Sequence, residues 1–206
     1  MKKLLTFLAV TIAFTINSQV THTGTTNSGS YSSAIGTYTT ASAGAAFASG
    51  RDTKATGEYS RAMGYFTEAN GLSSTAMGSR SEANGDFSTA MGYDSDANGD
   101  TSTAMGQYSE ANGDFSTAMG YYSRANDYSS LVIGYFNLSG STVTGSATSP
   151  NSANTAFVIG NGTYANRSDA FKVMANGDTT VSNDLTVGGD IVVSSDARLK
   201  ANIVSL

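Results

Sequence analysis

Residues 74–85 read Ser-Thr-Ala-Met-Gly-Ser-Arg-Ser-Glu-Ala-Asn-Gly, and this stretch decides the fold. It contains two similar halves, centred on Ala76 and Ala83, and alanine recurs at the same seven-residue interval from Ala34 to Ala125. The residue that follows each alanine alternates between methionine and asparagine throughout residues 62–126. The true repeat therefore has fourteen residues, and an internal repeat of this kind predicts a repetitive architecture.

A coiled coil also has a seven-residue period, but this repeat does not fit one. Coiled coils need large apolar residues at two positions of each heptad, whereas the recurrent residues here are alanine and glycine. Residue types alternate around each alanine as they do in a β-strand, so that Ala76 shares one face with a serine and a glycine while Met77 lies on the other face. We therefore expect an all-β chain, built as a narrow parallel β-solenoid with two short strands in each fourteen-residue turn and about 4.8 Å between turns.

A turn of fourteen residues encloses little space, so the face of serine, alanine and glycine is expected inside. The outer face then carries a row of apolar side chains, which we predict to be the interface between identical chains arranged with cyclic symmetry. Burial of one methionine contributes roughly 1.5–3 kcal/mol, whereas the small lumen contributes little against the cost of ordering the backbone. The alternative orientation places methionine inside and alanine outside. The predicted interface residues are Met63, Met77, Met91, Met105, Met119 and Ile133.

The composition excludes several classes of site. The 206 residues include no cysteine and a single histidine, which excludes disulfides, thiolate zinc sites, a cysteine nucleophile and most histidine-based centres. The net charge is −5, and no cluster of basic residues is present, which argues against nucleic acid as a partner. We expect no cofactor and no bound metal.

The segments that flank the repeats differ from them in character. Residues 1–19 have a basic start and an apolar core, which is typical of a secretory signal peptide and predicts an exported protein. Residues 20–30 are interpreted as an N-terminal leader. A linker rich in serine, threonine and glycine is predicted over residues 138–153, and short strands within residues 154–193 suit an intertwined, multi-chain β-stalk.

The repeat region, residues 31–137, resembles the head repeats of trimeric autotransporter adhesins of the YadA type, through its Ser-x-Ala-Met-Gly and Ser-x-Ala-Asn-Gly halves. The resemblance implies a homotrimer of left-handed parallel β-rolls, exposed on the cell surface or outside the cell, that binds a host matrix protein, a glycan or another cell-surface ligand. The implied function is that of an exported, fibrous adhesin. Aromatic residues near the predicted bends could contact such a ligand or pack between chains; they are Tyr65, Phe66, Phe87, Tyr93, Tyr108, Phe115, Tyr121 and Tyr122.

The C-terminal string Ser195-Asp-Ala-Arg-Leu-Lys-Ala-Asn-Ile resembles the opening of the intramolecular chaperone auto-processing domain of phage tail spikes and endosialidases, the peptidase S74 type. That domain trimerises fibrous β-proteins and then cleaves itself off. The resemblance implies that Ser195 is the nucleophile and Lys200 its general base, with cleavage beside Ser195; a lysine accepts the serine proton when burial lowers its pKa. We expect residues 194–206 to be a truncated start of this domain and the chain as given to be inactive as a protease.

Three other functions are open at this point. A phage-type tail fibre would share the C-terminal string, but the signal peptide favours a cellular, exported protein. Cation binding is suggested by the column of Asp86, Asp100 and Asp114, although calcium-binding rolls have a nine-residue period. Ice binding is suggested by one threonine in each turn, and the methionine beside it argues against that function.

Overall fold

The computed structural model describes residues 23–138 and 145–187, in which every regular element is a β-strand. The predicted signal peptide, His22 and the pair Ser195 and Lys200 lie outside the described residues. The strands of the first half are β1 Thr26–Asn27, β2 Ser33–Thr37, β3 Thr40–Ala41, β4 Phe47–Arg51, β5 Lys54–Ala55, β6 Arg61–Tyr65, β7 Glu68–Ala69, β8 Thr75–Ser79, β9 Glu82–Ala83 and β10 Thr89–Tyr93. Those of the second half are β11 Asp96–Ala97, β12 Thr103–Gln107, β13 Glu110–Ala111, β14 Thr117–Tyr121, β15 Arg124–Ala125, β16 Leu131–Tyr135, β17 Thr155–Asn161, β18 Asp169–Met174 and β19 Thr179–Val181.

The strands alternate along the chain between two sheets. Two-residue strands form the short sheet, which runs from β1 through the odd-numbered strands to β15, and five-residue strands form the parallel part of the long sheet from β2 to β16. Paired residues within the repeats are fourteen positions apart, as in Ala76 with Ala90 and Met77 with Met91. One long strand, one short strand and two corners therefore make one turn, which confirms the predicted parallel β-solenoid of fourteen-residue turns.

Small side chains fill the lumen. The recurrent alanines from Ala41 to Ala125 are 0% exposed, and serine or threonine side chains that follow most of the corners are buried beside them. Some of these hydroxyls bond to backbone of the next turn: Ser95 Oγ donates to the carbonyl oxygen of Gly106 at 3.0 Å, and Ser109 Oγ donates to that of Gly120 at 3.1 Å. The methionines lie outside, so the alternative orientation with methionine inside is wrong.

Every corner contains one residue in the left-handed conformation. From Tyr31 to Phe136 every seventh residue has a φ between 46° and 61°, and none of these sixteen residues is a glycine. The recurrent glycines with positive φ lie within the long strands, as Gly92 does in β10, whereas glycines such as Gly85 begin a corner without a positive φ. The backbone N–H of the left-handed residue donates a hydrogen bond to the preceding turn. In Phe87, for example, it donates to the carbonyl oxygen of Leu72 at 2.7 Å. This bond offsets a conformational cost of about 1–2 kcal/mol for a residue with a side chain.

The long sheet continues beyond the fourteen-residue repeats. Strand β17 pairs in parallel with β16, joining Val132 to Val158 and Gly134 to Gly160, so these partners are 26 positions apart. Strands β18 and β19 then add to the same sheet in antiparallel orientation. The short strands predicted within residues 154–193 thus begin by extending the solenoid; the multi-chain stalk concerns other copies of the chain and stays a prediction. At the N-terminal end, β1 lies within the segment interpreted as a leader. It already pairs with β3, so this segment contributes to the short sheet.

Side chains close the C-terminal end of the short sheet. Asn137 is buried in the lumen column that Ser123 occupies one turn earlier. Its Oδ1 accepts the N–H of Arg124 at 2.8 Å, and its Nδ2 donates to the carbonyl oxygen of Arg124 at 2.9 Å. These two bonds take the place of the backbone bonds that a further short strand would make. Arg167 adds to the closure by donating to the carbonyl oxygens of Tyr122 at 3.0 Å and Asn137 at 3.1 Å.

The linker and Asp127 close the neighbouring corner. A Cβ on Gly113 would lie 2.2 Å from the carbonyl oxygen of Asp127, which explains glycine at position 113. Asp127 interrupts the glycine series because its own side chain is used: Oδ2 accepts the N–H of Thr155, the first residue of β17, at 2.7 Å. The linker residue Ser146 accepts the N–H of Tyr128 with its carbonyl oxygen at 2.8 Å. The described part of the linker is therefore bonded to the solenoid.

Candidate interaction surfaces

The outer surface of the long sheet, which we call the methionine face, is three side chains wide. In β10 these are Thr89, Met91 and Tyr93. The strand register stacks the central residues in one column, and most of them are half-buried, while Met119 is 38% exposed. The structure thus brings the predicted interface residues together on the outside; their contact with a second chain stays a prediction. The column consists of Met63, Met77, Met91, Met105, Met119 and Ile133.

The methionine face carries almost no charge. From β8 to β17 none of the outward positions holds a charged residue, and the only charged side chains of the face in β4 and β6 are Arg51 and Arg61 near its N-terminal end. Identical chains in parallel register bring the same residues close together. An uncharged surface can meet its own copy in this way without repulsion between like charges.

The outer surface of the short sheet, which we call the polar face, carries a ladder of asparagine amides. The side-chain Nδ2 of Asn70 donates to Oδ1 of Asn84 at 2.8 Å, and the same bond links Asn84 to Asn98 at 2.9 Å. It continues from Asn98 to Asn112 at 2.8 Å and from Asn112 to Asn126 at 2.7 Å. Such amide ladders are a stabilising feature of stacked, in-register β-strands. The asparagine half of the repeat is therefore explained by contacts within one chain.

A column of four carboxylates runs beside the asparagine ladder, with a base at each end. Lys54 Nζ lies 2.5 Å from Glu68 Oε1, and an Arg124 guanidinium nitrogen lies 2.8 Å from Glu110 Oε1. Between them, Glu82 and Asp96 have only carboxylates as neighbours in the column. Partial burial, followed by repulsion from Glu82, Asp94 and Glu110, raises the pKa of Asp96 to about 6. This column makes the polar face unsuitable for contact with its own copies.

We expect Asp96→Asn to stabilise the protein at pH 7.5 and to leave its stability nearly unchanged at pH 4. The pKa of Asp96 is about 6 in the folded chain against an ordinary value of 3.8, so the folded state binds this proton more tightly than the unfolded state. The unfavourable contribution of Asp96 is therefore absent below pH 4, grows as the pH rises from about 4 to 6, and is complete above pH 6. Because Asp96 is only half-buried, we expect a gain of about 1 kcal/mol at pH 7.5.

Urea unfolding of the two proteins at pH 4 and pH 7.5, at one fixed protein concentration, measures this difference. The control is Asn98→Ser, which changes an uncharged side chain on the same face and should shift the free energy of unfolding equally at both pH values. An equal gain from Asp96→Asn at both pH values would contradict the electrostatic explanation.

The aspartates considered for cation binding are bonded to the backbone. Asp100 Oδ1 accepts the N–H of Asp86 at 2.9 Å, and Asp114 Oδ1 accepts the N–H of Asp100 at 3.0 Å. Each carboxylate therefore caps the corner of the preceding turn. Across residues 23–138 and 145–187, no group of three or more histidine, aspartate or glutamate side chains is arranged to hold a metal ion.

Some of the aromatic residues near the bends form a stack at one corner, whereas Phe87 and Phe115 lie at the other corner and Tyr65 packs against Phe66. The rings of Tyr108 and Tyr122 lie 4.4 Å apart at 20°, and those of Tyr122 and Phe136 lie 4.8 Å apart at 13°. All three are left-handed corner residues, so the repeat itself places their rings one above another. Tyr164 packs edge-on against Phe136 at 6.2 Å, and the Arg167 guanidinium lies 5.8 Å from the Phe136 ring centre. The stack is thus continued by residues that follow the linker.

A cavity of about 410 Å³ lies where the linker meets the last turn, lined among others by Tyr128, Pro150, Asn154 and Ala175. Its most buried polar side chain is already bonded: Asn154 Oδ1 accepts the N–H of Ser146 at 2.6 Å, and its Nδ2 donates to the carbonyl oxygen of Ser149 at 3.2 Å. The sequence does not predict this cavity, because its walls come from segments that only the pairing of β17 with β16 brings together.

The self-cleavage predicted at Ser195 with Lys200 as base concerns residues outside the described ranges and stays a prediction. Among residues 23–138 and 145–187, no helix is long and apolar enough to cross a membrane.

Comparison with known families agrees with the repeat unit. The family model of the YadA head domain repeat matches residues 69–95, 97–123 and 111–137. No curated protein matches the chain. The three matched segments cover β8 to β16 and their corners. They contain the asparagine ladder and most of the methionine column and of the aromatic stack. Residues 69–95 and 97–137 are therefore similar to the head repeats of YadA-like adhesins.

Proposed function

We propose that this chain forms the head of an exported, homotrimeric, adhesin-like fibre that mediates attachment through its outward surfaces. The observation that carries the proposal is the nearly uncharged methionine face on a solenoid whose repeat turns enclose small side chains. Heads of the YadA type form homotrimers and are exposed on the cell surface, and the head repeats of this chain match that type.

The energetics favour association through the methionine face. The lumen of each repeat turn holds two alanines and two hydroxyl side chains, which contribute little hydrophobic free energy. The methionine of each turn from β6 to β14 lies partly exposed on the outside instead. Because these methionines are already partly buried within one chain, covering the rest of each side chain between three chains contributes about 1 kcal/mol. The trimer therefore supplies the apolar core that one chain lacks.

Attachment is assigned to the surfaces that the trimer leaves free. The polar face carries amides and carboxylates, and the corner stack offers the ring of Tyr164, which is 81% exposed. Aromatic and amide groups together suit a glycan or an extended protein ligand. The segment interpreted as a signal peptide supports export.

Two measurements test the proposal. The mass of the full chain in solution, from light scattering, should equal that of three chains; a monomeric mass would contradict the trimer. Beads coated with the protein should bind immobilised extracellular-matrix proteins or members of a glycan panel, and beads coated with a variant that lacks half a turn, described below, serve as the control. A trimer that binds none of these surfaces would leave a structural fibre and contradict attachment.

The same proposal includes maturation by self-cleavage beside Ser195. Its support is the string from Ser195 to Ile203. The Ser195 hydroxyl would attack a neighbouring peptide carbonyl, Lys200 would pass the serine proton to the departing amine as the peptide C–N bond breaks, and water would hydrolyse the resulting ester. Expression from the native gene should give a cleaved fragment that Ser195→Ala abolishes. Cleavage that persists in this variant would remove the assignment.

A further inference from the structure

The methionine face changes character at its C-terminal end. In the repeats, each long strand presents one methionine beside a threonine, as in Thr89 and Met91. The sheet register continues these two columns from β16 into β17 and β18. In these three strands both positions hold large apolar side chains. We call this surface the end patch; it consists of Leu131, Ile133, Phe157, Ile159, Phe171 and Val173.

The end patch is only partly covered within one chain. Ile159 is 36% exposed and Leu131 is 40% exposed, while Phe157 and Phe171 contact one another with ring centres 6.0 Å apart. Within the described residues the short sheet ends at β15, so β18 and β19 have no short-sheet partner opposite them. All six residues of β18 are half-buried, on both faces of the strand. A sheet without a second layer is marginal on its own, so this part of the chain needs a partner.

The chemistry of the surface identifies the partner as further copies of this chain. The end patch is continuous with the methionine face through the columns of the same sheet. It has no charged side chain, so three copies in parallel register bring no like charges together, whereas the carboxylate column of the polar face excludes that face from such contact. Six large apolar side chains lie on three adjacent strands here, against one for each repeat strand.

We propose that the end patch is the clamp that joins the three chains and sets their register, and that the methionine column closes along the fibre from this clamp. The inference rests on the trimer of the proposed function and names the part of the chain that holds it together. A one-turn slip between copies would leave large side chains opposite threonine and methionine, so the clamp favours the register in which identical strands meet.

Single cysteines locate the clamp, since the chain has no cysteine of its own. Purified full-length protein carrying Ile159→Cys is treated with a short trifunctional maleimide and separated under denaturing conditions. We expect a covalent product of three chains from Ile159→Cys and only single chains from Glu82→Cys on the polar face. A trimer in solution that gives no product from Ile159→Cys would overturn the clamp while leaving the proposed trimer intact.

Matched pairs of substitutions compare the strength of the two regions. The end-patch variant carries Phe157→Ser and Ile159→Ser, and the ladder variant carries Met91→Ser and Met105→Ser. We expect the concentration of half-dissociation to rise about 100-fold for the end-patch variant and less than about 10-fold for the ladder variant. Equal rises, or a larger rise for the ladder variant, would overturn the clamp, and a monomeric parent protein would contradict the proposed function as well.

Discussion

We expect deletion of residues 82–95, one complete turn, to leave a folded trimer whose long axis is shorter by about 4.8 Å. The deletion joins Ser81 to Asp96, and Ser95 normally precedes Asp96, so the local sequence at the junction is unchanged. Every column loses one member and closes again: Ala76 takes Ala104 as its neighbour, and Met77 takes Met105. Because each turn contacts only the turns above and below it, the loss is that of a single repeat.

We expect deletion of residues 82–88, half a turn, to prevent assembly. Ser81 is then followed by Thr89-Ala-Met-Gly, so the seven-residue spacing of alanine and glycine is preserved. The two halves are exchanged in every later turn, however, and Met91 falls on the polar face while Asn98 falls on the methionine face. The methionine column, the asparagine ladder and the carboxylate column are all interrupted at one plane.

The two deletions form a matched pair, since both retain the seven-residue interval and only one retains the fourteen-residue unit. Light scattering reports the number of chains, and far-ultraviolet circular dichroism with thermal unfolding reports the fold. We expect the parental mass and a cooperative transition for the full-turn deletion, and loss of both for the half-turn deletion. A half-turn deletion that stays trimeric would show that the two faces are interchangeable and would contradict the assignment of the methionine face.

The architecture could be predicted from the sequence because the repeat encodes it at every turn. The interval of fourteen, the alternation around Ala76 and the small size of the inward residues are enough to give two parallel sheets, an alanine lumen and methionine outside. These features depend on residue type and spacing alone. The fourteen-residue repeat also predicts which residues lie on the polar face. It does not predict the hydrogen bonds along the asparagine ladder, because these depend on side-chain rotamers.

The corners and the C-terminal end could not be predicted in the same way. A left-handed residue is usually a glycine, so the sixteen corner positions with side chains such as Phe87 and Arg80 gave no signal; the inter-turn bond that holds them is a property of the stacked chain. Asn137 and Asp127 close the C-terminal end of the solenoid through their side chains. In the sequence they look only like departures from the serine and the glycine of the repeat. The last parallel strand does leave a signal in the sequence, since Val132-Ile-Gly recurs as Val158-Ile-Gly after an insertion of twelve residues.

Replacement of Gly92 by alanine is expected to lower the free energy of unfolding by at least about 3 kcal/mol. Gly92 has a φ of +131°, which residues with a side chain rarely adopt, and a Cβ there would lie 1.8 Å from the carbonyl oxygen of Gly106. This oxygen is fixed, because it also accepts the hydroxyl of Ser95 at 3.0 Å. The added methyl group must push two turns apart along a sheet in which each turn is bonded to the next.

Two other glycines separate the causes of this effect. Gly177 has a φ of +92°, and a Cβ added there would meet no atom within 4 Å, so Gly177→Ala should show the conformational cost alone, about 1 kcal/mol. Gly44 has no such φ, and the nearest atom to its added methyl group, Glu58 Cγ, would lie at 3.6 Å, so Gly44→Ala should be neutral or slightly stabilising. Urea unfolding at one fixed protein concentration ranks the three. If Gly92→Ala cost no more than Gly177→Ala, the turns could separate without loss, and the close stacking that forces glycine into every long strand from β2 to β16 would no longer explain the repeat.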